Sequence, residues 1–371
     1  MDPRYQVSNS AQIITPALLV FYEILVSNVD NMIGIAGRPD RLRPHCKTHK
    51  MPRVTELQLQ SGIKKHKAAT FAEADMLAGA GVKDIFLAYN LVGPNISRAI
   101  RFMERYPDAQ LSVTGDHAGA LTSLSEAMQV AGRSIDVLLD IDTGQNRTGV
   151  PCGELAIELY TLLDRLPGLR PGGLHVYDGQ NHQTDLEDRR QAVRSGWQPV
   201  VELQTQLKKR GLVVPRIVAG GTGSFPIYAE FDDPTVELSP GTCTFHDAGY
   251  GEIFPDLNFT PAALLLTRVI SRPTPRRVTL DLGYKAVASD PPADRRVVFP
   301  DLPDAKLVLQ NEEHLVIETD EPADFVPGDE LLGIPRHICP TSALHKQAFL
   351  IRDGEFVEAW DVVARDRRLN V

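Results

Sequence analysis

The sequence predicts an α/β fold, a (β/α)8 TIM barrel followed by an additional, mainly β C-terminal domain. Three observations lead there. The chain has 371 residues, and a barrel of roughly 250 leaves room for a second, smaller unit. From about residue 40 to about 245, short apolar runs rich in β-branched residues alternate with polar turns and helical patterns, as βα units do. Near Phe245 the texture changes to strand-like runs joined by Pro, Gly and Asp turns. The expected domains are therefore a barrel over 22–246 and a β domain over 247–371, with 1–21 open to either.

Taken in order, the barrel strands are RPHCKT (43–48), HKAAT (66–70), DIFLAY (84–89), QLSVTG (110–115), DVLLDI (136–141), GLHVYD (173–178), PRIVAGG (215–221) and TVELSP (235–240). Eight such units close a barrel. FAEADMLAGAG (71–81) and CGELAIELYTLLDRL (152–166) space apolar residues three and four apart, as outer-ring helices must to cover the sheet. In the β domain, TPAALLLTRVISRP, RRVTLDLGYKAVA, AKLVLQNEEHLVIET and QAFLIRDGEFVEAWDVVAR read as strands. The apolar run TPALLVF (15–21) fits the opening of the barrel or the β domain equally well.

Composition narrows the function. A formal charge of −9, from 39 basic and 48 acidic residues without a long basic run, argues against a nucleic-acid partner. No apolar stretch approaches the ~20 residues of a membrane helix, and MDPRYQVSNS lacks the order of a signal peptide. A cytoplasmic enzyme with a small-molecule substrate is the expectation. Cys46, Cys152, Cys243 and Cys339 are too few and too scattered for a disulfide framework. Each is read as a free thiol or a ligand.

Barrel enzymes place their sites at the C-terminal ends of the strands. There the sequence delivers PHCKTHK, DIDTGQNRTG, HVYDGQNH and AGGTGSFP, so that lysine, arginine, tyrosine, histidine and a Gly-rich loop meet on one rim. Gly220 to Ser224 follow the seventh strand, where barrels bind phosphate through backbone N–H groups; glycine admits the anion closely, and two hydroxyls add donors. Lys47 stands between His45 and His49, with Lys50 close by. A lysine desolvated beside other cations has a lowered pKa and can form a Schiff base with an aldehyde cofactor. His337 and Cys339 are two apart in what reads as extended chain, whose period of two turns both side chains to one face, as two ligands of one cation require. Thiolate plus imidazole favours zinc over manganese or magnesium.

The combination RPHCKTHK, DTGQNRTGV, HVYDGQNH, GGTGS, ELSPGT and HICPT, in this order over nearly the whole chain, resembles the D-threonine aldolase and D-serine dehydratase family, whose barrel has the alanine racemase-like fold. The resemblance implies pyridoxal 5'-phosphate (PLP) as cofactor, with Lys47 as its Schiff-base lysine, Arg147 beside its ring and Tyr177 near it. It implies that Gly221, Thr222, Gly223, Ser224, Gly241 and Thr242 hold the phosphate. Cys243 departs from the pattern, since relatives often carry tyrosine there. His337 and Cys339 match the family's metal motif, H-x-C or H-x-D before P-T, and imply a divalent cation. His182 matches the aldolase base in a loop about one residue shorter than in relatives, and His314, in NEEHL, is a candidate substrate contact or support for a ligand. Asp140 and Asp142 are read as structural, bonding backbone or Arg147; His66, His246 and His345 are read as ordinary polar or core positions. A homodimer follows by resemblance alone.

The implied substrate is a D-amino acid with a β-hydroxyl group. In retro-aldol cleavage a base removes the hydroxyl proton and the metal stabilises the alkoxide, giving glycine and an aldehyde. In β-elimination of the D-serine or D-threo-3-hydroxyaspartate dehydratase type, the products are a 2-oxo acid and ammonia. YDGQNH resembles the aldolase branch and H-x-C the dehydratase branch. D-threonine aldolase is the expectation and the dehydratase the alternative. A non-catalytic PLP-binding protein would lack the β domain and its H-x-C pair. A racemase would need a second base and no metal.

Overall fold

The computed structural model describes residues 3–319 and 325–371. Its first strand, β1, is Ala17–Phe21; β2 to β8 are Lys65–Ala68, Asp84–Asn90, Gln110–Gly115, Ile135–Ile141, Leu169–Val176, Ile217–Ala219 and Val236–Leu238. Then follow β9 (Ala263–Thr274), β10 (Arg277–Leu280), β11 (Val297–Val298), β12 (Lys306–Gln310), β13 (Leu315–Glu318), β14 (Glu330–Pro335), β15 (Gln347–Arg352) and β16 (Glu355–Asp361). The chain divides into two compact units. One is built from Ile33–Lys47, Val54–Gly241 and Asp366–Val371, the other from Met1–Met32, Thr48–Arg53 and Thr242–Arg365. Among the described residues no helix is long and apolar enough to cross a membrane.

The first unit is the parallel sheet β2 to β8 in sequential order, with helices between the strands. Strand β5 is buried along its whole length, the two-sided burial expected of a parallel sheet under helices. Helix starts follow their capping residues: the Thr70 side chain accepts from Glu73 N ahead of Phe71–Gly79, and Asp185 accepts from the N–H groups of Glu187 and Asp188 ahead of Leu186–Lys209. Phe86, Leu138 and Val218 fill the interior of the sheet.

The segment expected as the first strand, 43–48, is not a regular one. It occupies a strand's place nonetheless. Arg43 N donates to Leu238 O and His45 N to Pro240 O, each at 2.8 Å, while Lys67 N donates to Pro44 O at 2.8 Å and Cys46 N to Lys67 O at 2.9 Å. Parallel bridges Leu42↔Leu238 and His45↔Lys67 thus join the segment to β8 and to β2 and close the ring. Pro44 has no N–H to give, so the ladder cannot run through it. Arg43 pins the same segment from inside: its fully buried guanidinium meets Asp84 at 2.7 Å and Glu237 at 2.5 Å. Burial works against that charge, and Glu237 and Asp84 together overcome it, so the arginine stays cationic.

The second unit is a mainly antiparallel sheet of order β12-β13-β10-β9-β1-β15-β16, with β14 joining β9 and β11 joining β14. β1 lies between β9, antiparallel, and β15, parallel. The TPALLVF run therefore belongs to the β sheet and not to the opening of the barrel.

Candidate active site

A cavity of about 550 Å³ opens in the barrel unit, and Lys47, Lys67, Asp140, Arg147, His175 and Tyr177 are among its walls. They come from the closing segment, β5 and its loop, and the end of β6, which the sequence singled out, and from β2, which it did not. Three basic side chains surround one ring. Lys67 Nζ lies 5.7 Å, Lys47 Nζ 5.8 Å and Arg147 Cζ 5.0 Å from the Tyr177 centroid. Burial, and then the Lys47 charge, bring the Lys67 ammonium down to about 7.

The anion facing them is already engaged. Asp140 Oδ1 lies 2.7 Å from His175 Nδ1, with both residues buried. Burial is the strongest single influence and pushes the carboxyl up, but the His175 hydrogen bond and charge, with Thr148 and Lys67, together overcome it and hold Asp140 below the usual carboxylate range. Burial likewise lowers His175, so a neutral imidazole donates Nδ1–H to a carboxylate. His175 Nε2 is buried with no partner among the described residues. Asp140 thus bonds a histidine and not Arg147. Asp142 does bond backbone, accepting from Gly144 N at 2.9 Å and Asn146 N at 3.1 Å and so shaping the loop that carries Arg147.

The Gly-rich turn packs on the same tyrosine. A Cβ on Gly221 would stand 3.2 Å from the Tyr177 ring, and one on Gly220, at φ +77°, would stand 2.9 Å from Tyr228. Thr222 Oγ1 accepts from Gly241 N at 3.2 Å, tying together the two segments read as phosphate-holding. Ser224 differs from expectation. Its Oγ accepts from Gly221 N at 3.1 Å and donates to Asp178 Oδ1 at 2.6 Å, so in this conformation it braces the turn instead of offering its proton outward.

His337 and Cys339 do not share a strand face. His337 is the capping residue of the helix Ile338–Leu344 and Cys339 lies in its first turn, where Pro340 is tolerated because the first-turn N–H groups lack helical partners. The two side chains meet all the same, by a direct hydrogen bond. His337 Nδ1 lies 2.5 Å from Asp290 Oδ2. Donation to this carboxylate turns Nε2 away from it, the arrangement by which a carboxylate orients a histidine that is to bind a metal. Burial opposes a charge on His337, but Cys339 and Asp290 raise it to about 9. The same negative surroundings suit a divalent cation. Thr48 Oγ1 at 3.2 Å and Thr242 Oγ1 at 3.6 Å also reach Cys339 Sγ. Thr242, read as a phosphate residue, turns its hydroxyl to the thiol.

The remaining candidates are dispersed. His182 is exposed on the loop after Tyr177 and is not among the cavity walls. His314 is exposed in the turn between β12 and β13. Buried His66 lies 3.1 Å from Gln58 Oε1, and His345 Nε2 lies 2.7 Å from Ala286 O. His246 is buried, with a positive φ of 55°. Cys243 is buried with Sγ 3.8 Å from Met32 Sδ. The sequence reading missed Lys67, His175 and Asp290, and it missed a buried trio, His45, Cys46 and Glu73, whose donor atoms lie within 4.8 Å of one another. Two of these donors face backbone amides: His45 Nδ1 accepts from Lys47 N at 3.2 Å and Glu73 Oε2 from Ala69 N at 2.6 Å. His45 thereby holds the Lys47 peptide, while Glu73 holds the turn after β2 and accepts from Cys46 Sγ at 3.9 Å.

Over 366 residues, 96% of this chain and 93% of the relative, the chain is 34% identical to D-threonine aldolase of Arthrobacter sp. The chain belongs to the D-threonine aldolase and D-serine dehydratase family. The alanine racemase N-terminal domain model matches residues 22–248 and the serine dehydratase domain model residues 262–351. The chain is also 29% identical to 3-hydroxy-D-aspartate aldolase of Paracoccus denitrificans, covering 97% of this chain and 94% of that one. Among solved structures, D-threonine aldolase from Filomicrobium marinum superposes with a TM-score of 0.89 at 29% identity over 96% of each chain. The fold is alanine racemase-like and the chain is an enzyme of the lyase class. PLP, the cofactor this family implies, fits what the cavity offers: a surplus of basic groups for an anionic cofactor, an orphaned imidazole nitrogen, and a turn stripped of side chains.

Proposed function

We propose that the chain is a PLP- and divalent-metal-dependent D-threonine aldolase, cleaving D-3-hydroxy amino acids to glycine and an aldehyde. The observation that carries the reading is the end-to-end similarity to a D-threonine aldolase, with Lys47 in a cation-lined cavity. Bound PLP supplies an electron sink and bound metal a Lewis acid. The chain's own residues supply the rest. Lys47 holds the cofactor through Nζ, Arg147 and Tyr177 flank it, and Gly221, Thr222, Gly223, Ser224, Gly241 and Thr242 shape the phosphate site. His337 and Cys339 hold the cation, zinc by the softness of the thiolate, and Asp290 aims the imidazole. By the family resemblance His182, on the exposed loop after Tyr177, is the residue that takes the β-hydroxyl proton. A homodimer, by resemblance, and a cytoplasmic location, the default drawn from the sequence, complete the reading.

The thiolate in H-x-C favours a second reading, β-elimination by a dehydratase. Product analysis separates the two. With PLP, zinc or manganese, and D-threonine, the purified protein is expected to yield glycine and acetaldehyde; 2-oxobutanoate and ammonia would replace the aldolase reading with the dehydratase. L-Threonine is expected to be inert, because a lysine fixed on a rigid segment serves one face of a planar cofactor.

A further inference from the structure

The cavity contains a second lysine that the reading above leaves without a task. Lys67 is held on both sides, by the closing segment at Pro44 and Cys46 and by β3, where Phe86 is its register partner. Its side chain is buried, and its Nζ approaches the Tyr177 ring as closely as Lys47 Nζ does. An uncompensated ammonium in such a place is costly. The charged and titratable groups that face it are Arg43, His45 and Lys47 from the closing segment, Asp140 from β5, Arg147 from its loop, His175 from β6 and Tyr177 just after it. Lys47, Lys67 and Arg147 share one cavity carboxylate, and His175 already engages it. The charge balance closes when a ligand brings negative charge.

We propose that Lys67 is a further cofactor-binding residue, an amine that gains a proton as the anionic cofactor enters and then stands as a fixed cation in its cavity. This rests on the PLP reading of the cavity; Lys47 keeps the covalent link. With its pKa near 7, Lys67 is mostly neutral at pH 8 until an anion offsets the charges of Lys47 and Arg147.

Pyridoxine phosphate carries the ring and phosphate but no aldehyde, so it binds without linking to Lys47 and isolates this proton. Titration calorimetry of the cofactor-free full chain, in buffers of different ionisation enthalpy, counts the protons taken up. At pH 8 the wild type is expected to take up about 0.9 proton more per site than Lys67→Met or Lys67→Gln, and at pH 6 only about 0.1 more. Circular dichroism checks that the variants fold. If they do not, trace acetylation of the wild type at graded pH reads the same amine: the Lys67 midpoint should rise when pyridoxine phosphate binds. Equal proton uptake in all three proteins, or an unmoved midpoint, overturns the proposal and leaves the PLP reading standing. Failure of the wild type to bind pyridoxine phosphate at millimolar concentration defeats the PLP reading itself.

Discussion

Lys47→Ala is expected to abolish turnover of D-threonine while leaving the barrel folded. The loss should reach the ~10⁴- to ~10⁶-fold range typical of removing a covalently acting residue or its close partner. The fold should survive because the Lys47 side chain is half-buried and stands among other cations, so truncating it removes repulsion and opens no hole in the core. Far-UV circular dichroism and the melting temperature check the fold, and the visible absorbance of the bound cofactor should disappear along with activity. A variant that folds and retains a tenth of wild-type kcat would contradict the role given to Lys47.

Cys339→Ala should lower metal content and activity together while the cofactor absorbance persists. Lys47, Arg147 and Tyr177 belong to the unit containing the parallel sheet, and His337 and Cys339 to the other. Losing a direct ligand should therefore cost metal affinity without emptying the cofactor cavity. The size of the effect can be graded. Asp290→Asn, which removes only the carboxylate behind His337, should weaken metal binding ~10- to ~100-fold, and Cys339→Ala by more than that. Metal analysis after dialysis against graded chelator gives both values. Equal retention of metal by Cys339→Ala and the wild type would remove Cys339 from the site.

What was legible in the sequence was whatever depends on local periodicity or on motifs that carry their own chemistry. β3 to β6 begin and end within a few residues of the apolar runs that announced them. The Gly-rich turn declared itself by its place after the seventh strand, and the packing agrees: Gly220, at φ +77°, leaves a Cβ no room, and Gly221 leaves it little. RPHCKT read as a strand because its hydrogen bonds to β8 and β2 are those of one, and Pro44 breaks only the regular ladder. HICPT was misread as extended because H-x-C suggested a period of two. Pro340 followed by TSAL was the overlooked sign of a helix start. Lys67 could have been found: a lysine near the C-terminal end of a barrel strand is where chemistry is expected. Asp290 could not, because it stands 47 residues before His337 and only the fold brings the two together.

The central claim is that Lys47 carries the cofactor in the barrel cavity. Borohydride reduction of the PLP-loaded protein, followed by digestion and peptide mass mapping, tests it most directly. The account predicts one modified peptide, with the cofactor's mass on Lys47. The same mass on Lys50 or Lys67, with Lys47 unmodified, would contradict it.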